Sequence, residues 1–404
     1  MKLFNSMSKQ LEPFRPVNKK VVTIFTCGPS VYQRAHIGNF RTFLFEDILV
    51  RYLEYSGYRI ERGLILTDIE DKALRQAEKT GESLNDLTDG NIRVFMRDMD
   101  LLKIKRPDHF ARASEHAKEA AEIIKHLLNL RIAYYHDGNV YFDPLKFAGF
   151  GKLYGLDMTN WPKKKRRFHK DTYPGMQWNL GDFILWHGCR AKDNVCWDTS
   201  IGIGRPSWNI QDASMIYRYF NETLSIYCGG IDNVFRHHDY SIAVLESIRP
   251  YPMSRFWLHC RHLYVRGKKM SKSTGNILYT DDMLKKGYSG REIRFFLIYG
   301  QYRRKISYTD RSMQSTAANL KMLKNQISII KKKGASAIPH DGNLSQSIRT
   351  AFKEHMDDDL NVKAAFDGIS AVVLQRRAET LSPSKAAGII KTLKAIDEVL
   401  RILF

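Results

Sequence analysis

This chain has little that would take it out of water, staple it shut or repeat it into an array. No stretch approaches the run of about 18 apolar residues that spanning a bilayer requires. Met1 to Gln10 lacks the apolar core of a leader, so neither secretion nor membrane insertion is expected. Cysteine is scarce: Cys27, Cys189, Cys196, Cys228 and Cys260 are odd in number and scattered, unlike a disulfide framework or a paired zinc ribbon. A reducing cytoplasm suits that pattern. No internal repeat or low-complexity block is evident, which excludes solenoids and propellers. Acidic side chains are outnumbered, 43 Asp and Glu against 64 Lys and Arg, for a net charge of +21. That balance points to a polyanionic partner such as RNA. The 404 residues, 43% of them apolar, can bury a core in each of two or three domains.

What is present is organised around Val21 to Gly57. Val21 to Thr26 is a short β-branched run suited to a buried parallel strand, and Cys27-Gly28-Pro29 ends it as a turn. After a loop, Leu44, Ile48, Tyr52 and Tyr55 recur at helical spacing from Asn39 onward until Gly57 supplies a stop. His36-Ile37-Gly38-Asn39 therefore sits where a loop enters a helix, the place where free N–H groups and the macrodipole favour phosphate or carboxylate. Gly38 lets the backbone approach closely, and the imidazole of His36 can donate to a phosphate oxygen. A second segment, Gly267 to Asn276, sets Lys268, Lys269 and Lys272 among small residues, as a loop closing on polyphosphate requires.

Elsewhere, strand signals cover Tyr58 to Thr67, Ser225 to Tyr227 and Phe256 to His259. Helical periodicity covers Ser83 to Leu102 and Ser114 to Leu130, the latter with Ser114 as its expected cap. Alternating strands and helices predict a parallel sheet. From Ile132 the texture changes, with an Asp137-Gly138 hairpin turn opening an inserted, strand-poor module. The densest basic cluster, Lys163 to Arg167, lies inside it and could grip an RNA backbone. Helices over Ser312 to Lys332, Leu344 to Met356, Val362 to Arg376 and Ser382 to Leu403 predict a terminal bundle.

The two phosphate-binding segments together resemble the paired signature loops of class I aminoacyl-tRNA synthetases. Cys27-Gly28-Pro29-Ser30-Val31-Tyr32, Thr67-Asp68-Ile69-Glu70-Asp71-Lys72, Arg205-Pro206-Ser207-Trp208, Gly229-Gly230-Ile231-Asp232, His237-His238-Asp239 and Met356 to Asn361 resemble cysteinyl-tRNA synthetase in particular. The likeness runs in order over nearly the whole chain. It implies an α/β fold: a Rossmann-like doubly wound parallel sheet with an inserted module and a C-terminal α-helical bundle. The divisions expected are 1–131 and 205–258 for the two halves of the catalytic domain, 132–204 for the insertion, 259–311 for the connecting domain with the lysine loop, and 312–404 for the bundle. A further anticodon-binding domain, implied by the resemblance, is expected to be missing.

By resemblance the reaction is attack of an amino-acid carboxylate on the α-phosphorus of ATP, giving an aminoacyl-adenylate and pyrophosphate. His36, Asn39, Lys269 and Lys272 would stabilise the phosphates, needing no protein nucleophile. Gly38, Gly230, Asp232 and Lys272 would bind the nucleotide, and Cys27, Thr67 and Trp208 the amino acid. Mg²⁺ is expected with ATP. The partners expected are an amino acid and tRNA or another RNA, with no membrane and a monomeric chain.

The resemblance breaks at the pocket metal. Cysteinyl-tRNA synthetases hold a Zn²⁺ that binds the substrate thiol through two cysteines, a histidine and a glutamate. Those positions here are Cys27, Asp212, His237 and Ser241. Cys27, Asp212 and His237 remain a candidate three-ligand zinc site, while hard oxygen in place of sulfur weakens zinc and any preference for a thiol. Asn209, Gln211 and Tyr227 also replace expected residues, so altered amino-acid specificity is predicted. Two other functions remain open. One is a tRNA-independent ligase joining the amino acid to a small amine, as in mycothiol biosynthesis; the other is a non-catalytic RNA-binding paralogue.

Overall fold

The structure is a computed structural model that describes residues 1–160, 182–190, 193–270, 274–375 and 380–404. A hairpin of β1 (Lys2–Asn5) and β2 (Gln10–Pro13), not foreseen from the sequence, precedes β3 (Val21–Thr26), which matches the predicted strand residue for residue. Helix α1 (Ile37–Tyr55) follows. It is buried nearly all round because the sheet packs on one side and the C-terminal bundle on the other. Two of its buried residues are acids. Glu46 pairs with Arg62 at 3.1 Å, and Asp47 with Arg294 at 2.6 Å and Arg51 at 2.9 Å. Burial pushes the Asp47 carboxyl up, but Arg294 and Arg51 outweigh it and hold it below the usual range.

The chain continues through β4 (Arg59–Leu66), α2 (Asp71–Thr80), α3 (Leu84–Leu101), β5 (His109–Arg112) and α4 (Ala117–Asn129). Helix α2 escaped the sequence reading because only Ala73 and Ala77 on it are buried, too small a face to show as periodicity. Ser114 is not the cap it was expected to be. Its hydroxyl and N–H both donate to Asp68, at 2.6 and 3.0 Å, and the α-helix begins three residues later at Ala117.

The insertion contains β6 (Ala133–His136), β7 (Asn139–Phe142), β8 (Phe183–Gly188) and β9 (Gly204–Pro206), a four-stranded antiparallel sheet. It is therefore not poor in strands: Phe183, Leu185 and Trp186 of β8 are buried against the core. One cysteine pair also departs from expectation. Cys189 and Cys196 are joined by a disulfide in the β8–β9 connection, while Cys27, Cys228 and Cys260 are free and buried.

Helix α5 (Trp208–Tyr219), β10 (Leu224–Gly230), α6 (Asp239–Glu246) and β11 (Ser254–Cys260) complete the main sheet and its covering helices. The main sheet is parallel throughout, ordered β11-β10-β3-β4-β5. The chain moves outward from β3 to β5 and then returns to the other side at β10, so the topological switch lies between β3 and β10, where such folds bind ligands. A small sheet of β12 (Leu263–Val265), β13 (Lys268–Lys269) and β14 (Ile306–Tyr308) frames α7 (Thr280–Lys285) and α8 (Gly290–Ile298). The bundle is α9 (Asp310–Lys333), α10 (Asn343–Asp357), α11 (Val362–Leu374) and α12 (Pro383–Leu400). Helix α12 stops short of the predicted Leu403 because Arg401 takes φ 58° and Asp397 accepts the N–H groups of Ile402, Leu403 and Phe404. No helix among the described residues is long and apolar enough to cross a membrane.

Candidate active site at the switch of the sheet

The carboxyl ends of β3 and β10 deliver Cys27 and Gly230 side by side. His36 caps α1 reciprocally: its Nδ1 accepts the Asn39 N–H at 3.2 Å, and Asn39 Oδ1 accepts the His36 N–H at 3.0 Å. With Nδ1 used as an acceptor, the proton of the neutral ring resides on Nε2, which is left to donate. Burial lowers the His36 pKa to about 4, with Lys269 and His262 adding to the effect. The ring is therefore neutral at physiological pH.

The lysine segment comes to the same place. A Cβ on Gly38 would stand 3.0 Å from the His36 ring and 3.1 Å from Met270 Cε, so this glycine is what lets the lysine segment pack on the head of α1. Ile37 N–H donates to Leu278 O at 2.9 Å, tying the far end of that segment to the same turn. Lys269 Nζ reaches Asp232 Oδ2 at 3.3 Å, and His262 Nε2 lies 3.6 Å from the other oxygen. Gly230 makes room for that carboxylate, since a Cβ there would meet Asp232 Oδ1 at 2.8 Å. Lys272 and the basic cluster Lys163 to Arg167 lie outside the described residues.

Beyond Cys27 a cavity of about 390 Å³ opens between the sheet and the insertion, lined in part by Cys27, Thr67, Glu70, Trp208, Asn209 and His237. Trp208 stacks on His237 with centroids 4.7 Å apart and planes at 16°. Asp212, 2% exposed, lies behind them. Its Oδ2 receives the Cys27 thiol at 3.1 Å and His237 Nε2 at 2.9 Å, and the Tyr227 hydroxyl donates to the same atom. Burial pushes the Asp212 carboxyl up, but His237 and these hydrogen bonds outweigh it and leave it below the usual range. Burial, then the charge of Asp212, drives the Cys27 and Tyr227 pKa values well up.

Asp212 and its partners thus stand where a metal was expected. Cys27, Asp212 and His237 bring their donor atoms within 4.8 Å of one another, a spacing that can hold a metal ion. Ser241 does not join them: its hydroxyl donates to the His237 carbonyl at 2.9 Å. The other departures also bind protein. Asn209 Nδ2 donates to Ile184 O at 2.8 Å and Gln211 Nε2 to Ile69 O at 2.6 Å.

Sequence reasoning missed His238. Its Nε2 lies 3.0 Å from Cys27 Sγ, its Nδ1 2.8 Å from His259 Nε2, and His259 Nδ1 2.7 Å from Ser6 Oγ. One set of protons satisfies the whole line: Ser6 donates to His259, His259 to His238, His238 to Cys27, and Cys27 to Asp212. The paired histidines in the sequence were the available signal. A turn in which Arg236 is held at φ 65° aims one at the cavity and the other at the sheet, the kind of strain concentrated at functional sites.

Comparisons with known proteins bear on the family and the fold. Residues 13–318 match the family model of tRNA synthetases class I (C) catalytic domain. The cysteine–tRNA ligase of Chlamydia muridarum is 35% identical over 419 residues, covering 99% of this chain and 87% of the relative. That of Chlamydia pneumoniae is 35% identical over 412 residues, with coverage of 99% and 86%. Among solved structures, a Mycobacterium tuberculosis methionyl-tRNA synthetase in complex with methionyl-adenylate superposes with a TM-score of 0.64 at 16% identity, over 95% of this chain and 90% of that one. A LeuRS ternary complex from Agrobacterium radiobacter K84 gives a TM-score of 0.68 at 12% identity, over 96% and 85%. These two establish the fold alone. The chain belongs to the class I (C) tRNA synthetase family and is a cysteinyl-tRNA synthetase-like, ATP-dependent ligase.

Proposed function

We propose that this protein activates an amino acid, cysteine or a related one, as its adenylate and passes it to tRNA. The observation that carries the reading is the packing of Met270 over Gly38, which brings the lysine segment to the capped head of α1. In the reaction a carboxylate oxygen of the amino acid bonds to the α-phosphorus of ATP as the bond to pyrophosphate breaks. His36 Nε2–H and the N-terminus of α1 would meet the growing phosphate charge, and Lys269 and Lys272 the departing pyrophosphate. Asp232 would accept from the ribose hydroxyls or the substrate ammonium, and Thr67 and Trp208 would flank the amino acid. Bound with ATP, Mg²⁺ would neutralise part of the phosphate charge.

Cys27, Asp212 and His237 lie close enough to ligate a metal ion, but we infer that in this arrangement they serve the amino acid by hydrogen bonding rather than through zinc. Tetrahedral nitrogen and oxygen ligands at zinc stand about 3.3 Å apart, whereas His237 Nε2 and Asp212 Oδ2 are 2.9 Å apart, at hydrogen-bond distance. Bound zinc would have to displace the Cys27 thiol proton, which in this arrangement is directed at Asp212. Selection of the amino acid would then rest on hydrogen bonds rather than on a metal–sulfur bond. Without a metal–thiolate bond, exclusion of serine and other small relatives weakens.

ATP–pyrophosphate exchange against a panel of amino acids, with metal analysis of the same sample, tests both statements. Exchange stimulated by one or a few small amino acids is expected, with zinc well below one per chain. Exchange driven by cysteine alone with stoichiometric zinc would overturn the pocket reading, and no exchange with any amino acid would overturn the function. Filter binding of total tRNA at physiological salt tests the acceptor, for which the charge of +21 is the support.

A further inference from the structure

The two segments that carry the nucleotide chemistry are also joined away from it. Arg34, two residues before His36, places Nη1 2.5 Å from Asp281 Oδ2 and Nη2 2.8 Å from Thr280 Oγ1 and 3.2 Å from Asp98 Oδ2. Thr280 donates to the same Asp98 oxygen at 2.8 Å. Arg97 closes the ring, with Nη2 2.8 Å from Asp98 Oδ1 and 3.0 Å from Asp281 Oδ1. The Arg34 guanidinium also lies 4.9 Å from the centre of the Tyr279 ring.

Three elements meet in this cluster: the loop entering α1, the helix α3, and the start of α7 just beyond the lysine segment. The Asp98 side chain is fully buried, and that of Arg34 is 23% exposed. The pair is thus shielded from salt far better than a surface bridge. From here the chain has only a few residues to run back to Asn276, whose side chain donates to Lys269 O at 3.2 Å. The contacts form a path from Asp281 to the lysine that faces Asp232.

We propose that Arg34, seated on Asp98, and Asp281 are positioning residues: they form a clamp that sets the separation of His36 from Lys269, so that both reach the phosphates together in the transition state. This rests on the nucleotide-binding reading above. Arg34 and Asp281 need no contact with substrate to act, because misplacing a donor by about 1 Å can cost on the order of 10²-fold in rate. Such a loss falls on the transition state and spares the binding of the amino acid.

The test uses the full chain and ATP–pyrophosphate exchange, with Arg34→Ala, Asp281→Ala, the double variant and Arg34→Lys, each checked by thermal melting. Expected are a fall in kcat of about 10- to 100-fold in each alanine variant and an unchanged amino-acid KM. The double variant should be no worse than the poorer single one, and Arg34→Lys should recover part of the loss. Active wild type with unchanged kcat in Arg34→Ala and Asp281→Ala would overturn the clamp. So would losses that multiply in the double variant or that follow the melting temperature alone. A wild-type chain inactive with every amino acid would instead overturn the nucleotide reading on which the clamp depends.

Discussion

Lys269 Nζ lies 3.3 Å from Asp232 Oδ2, so a lysine suited to phosphate is paired with the carboxylate suited to ribose. Asp232 and Lys269 are both substantially exposed, and an exposed pair of this kind is worth little on its own. A nucleotide whose hydroxyls occupy Asp232 would free Lys269 to move onto the phosphates, so the same contact both holds the segment near and yields to substrate.

Asp232→Ala should therefore weaken nucleotide binding most. The KM for ATP in pyrophosphate exchange is expected to rise about 10-fold or more, the loss of one to two hydrogen bonds to a charged acceptor. Lys269→Ala should act mainly on kcat, because its interaction strengthens as charge builds on the leaving group. Varying ATP at saturating amino acid separates the two.

The pH profile of exchange should carry no limb near the ordinary histidine pKa that traces to His36. With its pKa lowered to about 4, the ring stays neutral from pH 5 upward and continues to donate from Nε2. NMR titration of the ring, assigned with a His36→Gln variant, is the direct check. A midpoint near 6.5 would contradict the capping geometry.

Asp212→Ala leaves the thiol of Cys27, the ring of His237 and the hydroxyl of Tyr227 without their common acceptor. Each buried donor so stranded costs about 1–3 kcal/mol. The amino-acid KM should rise by 10-fold or more while the KM for ATP stays within about 2-fold. Treating the wild type with a strong zinc chelator should change neither constant.

Stability should fall on acidification through the buried histidines. Burial drops the His259 pKa to about 3 and takes His238 well below its ordinary value, while the unfolded chain titrates near 6.5. Between about pH 3 and 6.5 the unfolded state binds more protons, so stability rises with pH across that window and is lost as pH falls through it. Urea unfolding from pH 4 to 7 should show this slope, reduced in His259→Gln.

Arg294 is fully buried and holds α8 to Asp47 of α1 and to the carbonyls of Leu102 and Leu400. Arg294→Met leaves the Asp47 carboxylate short of its buried partner, for which about 3–5 kcal/mol of destabilisation is expected in chemical denaturation.

From the sequence alone came the elements whose burial repeats along the chain. Strand β3 was readable residue for residue and α1 to within a few positions because apolar runs buried on all sides end at turn or glycine signals, and the four bundle helices because a one-sided core imprints its period on the residues facing it. That the His36 loop and the lysine segment come together was legible as well, since both are short local motifs, and Met270 packs beside Gly38. The metal departure was visible too, as letters in place of expected ligands. What only the tertiary structure decided depends on partners far apart in the chain. Helix α2 buries two alanines and leaves almost no trace; Ser114 was claimed by Asp68, and β8 found its neighbours across an insertion. That Asp212 accepts from Cys27, that His238 backs Cys27, and that Arg34 meets Asp281 are contacts between residues 185, 211 and 247 positions apart. No period or local spacing encodes them. A hydrogen bond or ion pair becomes definite only when folding removes water and brings both partners within reach.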